Sequence, residues 1–159
     1  KSWDTSLTRM VTWVKLRDRS VNPSSDLYFF NTHFDHRGEI ARRESARLIR
    51  RQIAALAGET PTVVTGDFNA GEDTQPYLTL FVENGPVKLV DSFRVKHPQR
   101  GSEEGTFSAF VASEVNGPRI DWIACTSQWS VKEASIDRTT RDGRTPSDHF
   151  PVTAVLGMP

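Results

Sequence analysis

The sequence predicts an α/β domain, and three observations carry that expectation. A strand-length apolar run, a long amphipathic helix and a second apolar run follow one another between Leu27 and Thr65, which is the composition of a βαβ unit. Three further strand-like runs close the chain, at Arg119–Cys125, Trp129–Ile136 and Phe150–Leu156. The 159 residues are 36% hydrophobic and 25% charged, which suits one soluble globular domain with a core of its own.

Taken in order, Leu7–Leu16 reads as the first strand, with Met10, Val11, Trp13, Val14 and Leu16 in it. The polar stretch that follows holds a turn cluster, Asn22-Pro23-Ser24-Ser25. Leu27–Thr32 is a compact apolar strand with His33 at its end. Glu39–Ala57 is the clearest helix. Its apolar stripe is expected along Ala41, Ser45, Leu48, Gln52 or Ile53, and Leu56, with Gly58 as its stop. Arg42, Arg43, Arg47, Arg50 and Arg51 lie mostly off that stripe and predict a solvated face. Thr62–Thr65 is a short buried strand. A right-handed crossover makes it parallel to Leu27–Thr32, so that His33 and Asp67 emerge at one edge of the sheet. Thr74–Val82 is a second helix, with Pro76 tolerated in its first turn. The segments Gly101–Gly117 and Asp137–Ser147 read as loops.

Twenty basic and twenty acidic residues cancel. A neutral chain lacks the broad field of a non-specific DNA-coating protein, although a local basic rim can still serve a nuclease. No stretch approaches the roughly 20 apolar residues of a membrane span. The lone Cys125 sits in an apolar strand and reads as a buried small hydrophobe.

Four short strings bear the chemistry: Asn31-Thr32-His33, Gly66-Asp67-Phe68-Asn69, Asp121-Trp122-Ile123 and Ser147-Asp148-His149-Phe150-Pro151. Each sets polar groups where a strand meets a loop. Asp67 and Asn69 alternate around Phe68, so both can face one side while the ring turns inward. The carboxylate can orient and deprotonate a water, and the carboxamide can donate to a phosphoryl oxygen. The same pattern also fits an Asx turn after a buried strand. Asp148 is a hard oxygen ligand of the kind Mg²⁺ takes, and His149 beside it can reach a phosphate. Asp121 interrupts an apolar strand, where a carboxylate needs a partner; an imidazole is a natural one. Arg37 fits either a bidentate phosphate clamp or a solvated turn residue before Gly38. His36 and His97 read as surface residues.

In this order the four strings resemble the metal-dependent endonuclease/exonuclease/phosphatase superfamily, and the extended string Asn31–Gly38 resembles a bacterial subgroup of it. The resemblance covers essentially the whole chain. It implies a four-layered αββα sandwich, of which residues 1–159 supply the C-terminal portion of a single domain. The superfamily's two opening motifs, an Asn near the first strand and a metal-binding Glu, have no counterpart here. The resemblance further implies hydrolysis of phosphate esters with Mg²⁺, or alternatively Mn²⁺. His33, Asp67, Asn69, Asp121 and His149 are then catalytic, with Asp121 paired to His149. Arg37, Asn69 and His33 contact substrate, and Asp148 and Asp67 hold the metal. Gly105-Thr106-Phe107 looks like the superfamily's substrate-side loop. The partners implied are a phosphate-ester substrate, nucleic acid among the candidates, and either self-association or pairing with the absent N-terminal segment. Two readings compete: a folded but catalytically incomplete fragment, and a binding module built on the arginine-rich helix.

Overall fold

The register of five strands decides where every polar group of interest ends up. The structure, a computed structural model, describes residues 3–20 and 25–158; the expected turn residues Asn22, Pro23 and Ser24 lie outside the described residues. Strands β1 (Val11–Asp18), β2 (Ser25–His33), β3 (Thr62–Asp67), β4 (Leu89–Asp91) and β5 (Asp121–Thr126) form one sheet in the order β1-β2-β3-β5-β4. β2 and β3 are parallel, as expected of a crossover connection, and the remaining pairs are antiparallel. β6 (Ser130–Ile136) and β7 (Val152–Gly157) pair antiparallel as a second, two-stranded sheet.

Helix α1 (Glu39–Leu56) bridges β2 and β3. Gly38 at its N-cap has no side chain with which to satisfy the first amides. Asp4, far away in sequence, takes that role, accepting the Ala41 amide at 2.7 Å and the Ile40 amide at 3.1 Å. Gly38 is what lets Asp4 in, because a Cβ there would meet the Asp4 carboxylate at 2.7 Å. At the other end Gly58, with φ +57°, donates to the Ile53 carbonyl and stops the helix as expected.

The buried stripe of α1 differs from the expected one. It runs through Ala41, Ala46, Ile49, Arg50 and Ile53, while Leu48 and Leu56 are exposed. The small Ala46 and the branched Ile49 and Ile53 fit against the sheet residues Phe30 and Val64 in one core. Arg50 corrects the picture of a wholly solvated arginine face. It is buried and donates to the carbonyl oxygens of Thr79, Glu83 and Val87. Those carbonyls lie in and beyond α2, a helical segment running Gln75–Tyr77 and continuing as a π-turn at Leu78–Val82. A single guanidinium thus satisfies acceptors that a wide helix end leaves open. Arg42 donates to the Asp35 carbonyl, and Arg43 and Arg47 pair with Glu44 on the outer face of the helix.

The aromatic centre of the core follows from alternation. Phe68 stacks on Trp122 at 4.4 Å between centroids and meets Phe34 edge-on at 4.9 Å. Tyr77 meets Trp122 edge-on at 5.1 Å. Such pairs add about 0.5–1.5 kcal/mol beyond area burial. Cys125 is buried as expected, and burial, with Asp91 adding to it, pushes its thiol up to about 11.

Two elements escaped the sequence reading, β4 and the short helix α3 (Ser92–Lys96). The first expected strand also begins later than Leu7, at Val11. β4 contributes one core residue, Leu89, and pairs with β5, and buried charge ties both β4 and α3 to the rest of the chain. Arg119 donates to Glu72 at 2.7 Å and to Asp91, which also accepts the Tyr77 hydroxyl at 2.9 Å. Arg94 of α3 pairs with Glu72 at 2.8 Å and with Glu104. Removing one partner of such a buried set strands the others' charge. Arg119→Ala is therefore expected to cost about 3–5 kcal/mol, read as a lowered urea midpoint; an unchanged midpoint would show that the network contributes little to the fold.

Candidate active site

β2, β3 and β5 end in one cross-strand row. His33 is the register partner of Asp67, and Asp67 is the register partner of Asp121. Successive residues of a strand alternate faces, so this row lies on the face opposite Phe30, Val64 and Trp122. The side chains meet: His33 Nε2 stands 3.1 Å from Asp67 Oδ2. His149, from the loop before β7, completes the group. Its Nδ1 is 2.8 Å from Asp121 Oδ2, and its Nε2 is 3.9 Å from Asp67 Oδ2.

Backbone devices hold each member. Phe68 is fully buried, which turns its neighbours Asp67 and Asn69 outward. Asn69 adopts a left-handed φ of 48°, a conformation Asn tolerates better than most residues. Its backbone amide donates to Asp67 Oδ1 at 2.8 Å, closing the Asx turn anticipated from sequence. Its side-chain amide donates to the Phe34 carbonyl at 3.1 Å and to Asp67 Oδ2 at 3.3 Å. Both hydrogens of that amide are thus directed at holding Asp67 and the end of β2. Asp121 is placed by a residue the sequence reading had noted only for its loop: the buried Thr106 hydroxyl accepts the Ile120 and Asp121 amides at 3.0 and 3.2 Å. The Thr106 carbonyl in turn accepts the Phe150 amide at 2.7 Å. Gly105 makes this contact feasible, since a Cβ there would lie 2.6 Å from the Gly117 nitrogen.

The remaining sequence candidates sit differently. Asp148 lies next to the cluster in sequence, yet the group of acids and imidazoles whose ligand atoms come within 4.8 Å of one another is Asp67, Asp121 and His149. Asp148 accepts the Ser147 hydroxyl at 3.1 Å, and its carbonyl accepts the Ser108 and Ala109 amides at 2.7 and 3.1 Å. Arg37 is exposed in the loop before α1. Its neighbour Asp35 is buried and collects the Ser6, Leu7, Arg37 and Gly38 amides. Burial alone would raise the Asp35 carboxyl, but these amides and the Ser6 hydroxyl hold it far below the ordinary range. His36 is exposed beside Arg9, and His97 lies at the surface against Phe93, as expected of surface residues.

Phe107 meets the His149 ring edge-on at 5.1 Å. The next residues form a tight turn in which the Ser108 carbonyl accepts the Val111 amide at 2.8 Å. Its two central residues, Ala109 (φ 49°) and Phe110 (φ 66°), are both left-handed. Turns of this kind favour Gly, Asn or Asp, and L residues there cost about 1–2 kcal/mol each.

Electrostatics set the protonation pattern. Burial pushes the Asp67 carboxyl up and the nearby Asp121 adds to it, against the Asn69 amide and the two imidazoles. For His149, burial favours the neutral ring, but the hydrogen bond and charge of Asp121, with Asp67 and Asp148 behind it, raise the imidazole above its ordinary 6.5. A raised imidazole binds its proton more tightly folded than unfolded. The stabilisation it brings is present in full below pH 6.5 and is lost as pH rises through the higher folded value. An NMR titration of the metal-free chain is expected to give His149 a midpoint above 6.5 that falls in Asp121→Asn; a midpoint indifferent to that substitution would break the pairing.

Neither a family model nor a curated protein matches the sequence. Solved structures do. An endonuclease/exonuclease/phosphatase family protein from Bacteroides thetaiotaomicron is 34% identical, with a TM-score of 0.84 over 98% of this chain and 58% of its own. A mannosyl-6-phosphatase of the same organism is 33% identical, with a TM-score of 0.83 over 98% of this chain and 60% of its own. A third, an endonuclease/exonuclease/phosphatase from Bacteroides vulgatus, is 32% identical, with a TM-score of 0.82 over all of this chain and 59% of its own. The chain thus spans about three-fifths of the length of these neighbours. Four motifs in order, an α/β fold that superposes over nearly every residue and identities above 30% lead to one conclusion: the chain belongs to the endonuclease/exonuclease/phosphatase superfamily.

Proposed function

We propose that this chain carries the reacting part of a metal-dependent phosphoric ester hydrolase. The observation that carries the reading is the single cross-strand row of His33, Asp67 and Asp121, with His149 set against two of its members. Four groups able to hold or move a proton converge at one strand edge, beside an exposed loop, on a scaffold that fixes them through the backbone.

The donor set suits a hard divalent cation. Asp67 and Asp121 offer carboxylate oxygens, and Mg²⁺ commonly takes one or two carboxylates with substrate phosphate and water for the rest. Mg²⁺, or Mn²⁺ in its place, would supply charge to stabilise the phosphoryl oxygens. Asp148, which the sequence motif suggested as a ligand beside Asp67, lies outside this converging group.

The chain's own groups divide the remaining work. Asp67, set between the His33 and His149 rings, is suited to take the proton of the attacking water as the water oxygen bonds to phosphorus. Asn69 holds Asp67 in orientation. His149, whose Nδ1 is held by Asp121 at 2.8 Å, has its Nε2 free to donate toward a phosphoryl oxygen as charge builds there. His33, half exposed on the other side of Asp67, is placed to give a proton to the leaving oxygen as its bond to phosphorus breaks. Arg37 stands in the loop beyond β2 as a candidate contact to further substrate charge. The mannosyl-6-phosphatase among the neighbours makes a sugar phosphate the first substrate class to test, with nucleic-acid diesters second.

Asp67→Asn and His149→Ala are each expected to cut Mg²⁺-dependent turnover of a simple phosphate ester by roughly 10²–10⁴-fold with the fold retained. Near-wild-type rates in either, at matching thermal stability, would remove these roles.

The alternative of a catalytically incomplete piece has a physical basis. β1 is an edge strand of the five-stranded sheet, and its Val14 and Leu16 are 44% and 46% exposed. An apolar edge invites pairing. Glu72, a conceivable extra ligand, is already committed to Arg94, Arg100 and Arg119. The 159-residue chain alone is therefore expected to self-associate in light scattering and to turn over weakly; a monodisperse monomer with robust Mg²⁺-dependent activity would overturn this expectation.

A further inference from the structure

We propose that the turn Ser108–Val111 is a specificity element and that Phe110 binds the ring of the substrate's leaving group by stacking on its flat face. The inference rests on the phosphate-ester reading above and concerns the part of the substrate beyond the phosphate.

Three observations converge on it. The first is exposure. Phe110 is 64% exposed and Phe107 48%, while Phe30, Phe34, Phe68 and Phe150 are buried to 2% or less. The second is attachment. Phe107 pairs in a β-bridge with His149 and touches its ring. The turn itself is fastened to the residue beside His149, because the Asp148 carbonyl accepts the Ser108 and Ala109 amides and the Ser108 hydroxyl. The Ser108 hydroxyl also accepts the Phe110 amide at 3.3 Å. Phe107 therefore sits at the rim of the His149 site, and Phe110 follows three residues on, in a turn fastened to the residue beside His149. The third is strain. Ala109 and Phe110 both occupy left-handed backbone, which L residues avoid. Such strain persists only where surrounding contacts over-determine it, and it clusters where a side chain must be presented. Here it holds a large apolar ring out in solvent, and this strain brings no burial to offset it.

An exposed phenyl ring next to a phosphate site recognises a flat, weakly hydrated face. The C–H face of a pyranose and the π-face of a nucleobase share that chemistry, and neither requires a hydrogen bond from the ring. Phe110 would thus select for esters with a ring over those with an open chain, while His33, Asp67, Asp121 and His149 treat the phosphate alike in both.

Binding can be measured without turnover. Affinities of the 159-residue chain in Mg²⁺ are compared by calorimetry for glycerol 1-phosphate, mannose 6-phosphate and adenosine 5′-monophosphate. At least one ring-bearing ester is expected to bind roughly tenfold more tightly than glycerol 1-phosphate; which of the two does so identifies the ring. That advantage is expected to vanish in Phe110→Ala and to survive in Phe110→Trp, both folding normally because the position is exposed. Equal affinity for all three compounds, or an advantage that survives Phe110→Ala, overturns the proposal and leaves the phosphate site standing. A Phe110→Ala variant that changes only the state of association also overturns it, by making the ring an interface. Binding of none of the three overturns the phosphate-ester reading together with this one.

Discussion

At Gly66 the backbone of β3 lies so close to β2 that a Cβ would stand 2.1 Å from the Thr32 carbonyl oxygen. No L side chain fits there. The close approach locks the parallel register in which Thr32 faces Gly66 and His33 faces Asp67. A slip of one residue along either strand would turn Asp67 toward the aromatic core and Phe68 toward the loops. The polar row and the buried stack of Phe68 on Trp122 are thus two consequences of one register. The glycine beside Asp67 is a structural necessity as much as a motif letter.

Around this register the chain uses charge to hold segments that lack a hydrophobic pattern. Asp4 caps α1, and Asp35 gathers the amides of residues on both sides of it, so the segment before β1 is pinned to the loop after β2. Arg119 joins Glu72 from the loop after β3 to Asp91 at the end of β4. Arg94 joins Glu72 to Glu104, and so to the loop that carries Thr106. Buried ion pairs are weak contributors to net stability but strong ones to a unique arrangement, because an unpaired member is so costly. In this chain they fix two loops, one of which supplies the hydroxyl that seats Asp121.

The site and its rim are built on opposite principles. His33, Asp67 and Asp121 sit at strand ends, in regular backbone, where register gives them reproducible spacing, and His149 joins them from the loop before β7. The rim is a turn in unfavourable backbone, tied to the site through a main-chain carbonyl. Loops tolerate change that a register cannot.

Much of this was legible in the sequence, for a local reason. The strand runs, the long helix and its glycine stop, and the two loops are set by periodicity and by turn chemistry within short windows. The four motifs could be recognised because residue identity alone carries them, and the parallel βαβ geometry was enough to bring His33 and Asp67 to one edge. The sequence could not settle anything that depends on partners far along the chain. β4 and α3 are tied to the rest of the chain by Arg119, Arg94 and Glu72, and neither has a pattern of its own. Two apolar stripes of α1 share Ala41 and Ile53 and satisfy the same helical period, and only packing against Phe30 and Val64 chose Ala46 and Ile49 over Leu48 and Leu56. Arg50 reads as a surface arginine until the carbonyls of α2 surround it. The Asn69 amide reads as a phosphate donor in sequence, and only the fold shows that it also reaches Phe34 and Asp67. Sequence determined which groups the chain possesses and which strands carry them. Tertiary structure decided which of those groups are already satisfied by one another and which remain available, because a hydrogen bond or an ion pair is a relation in space that no short stretch of chain contains.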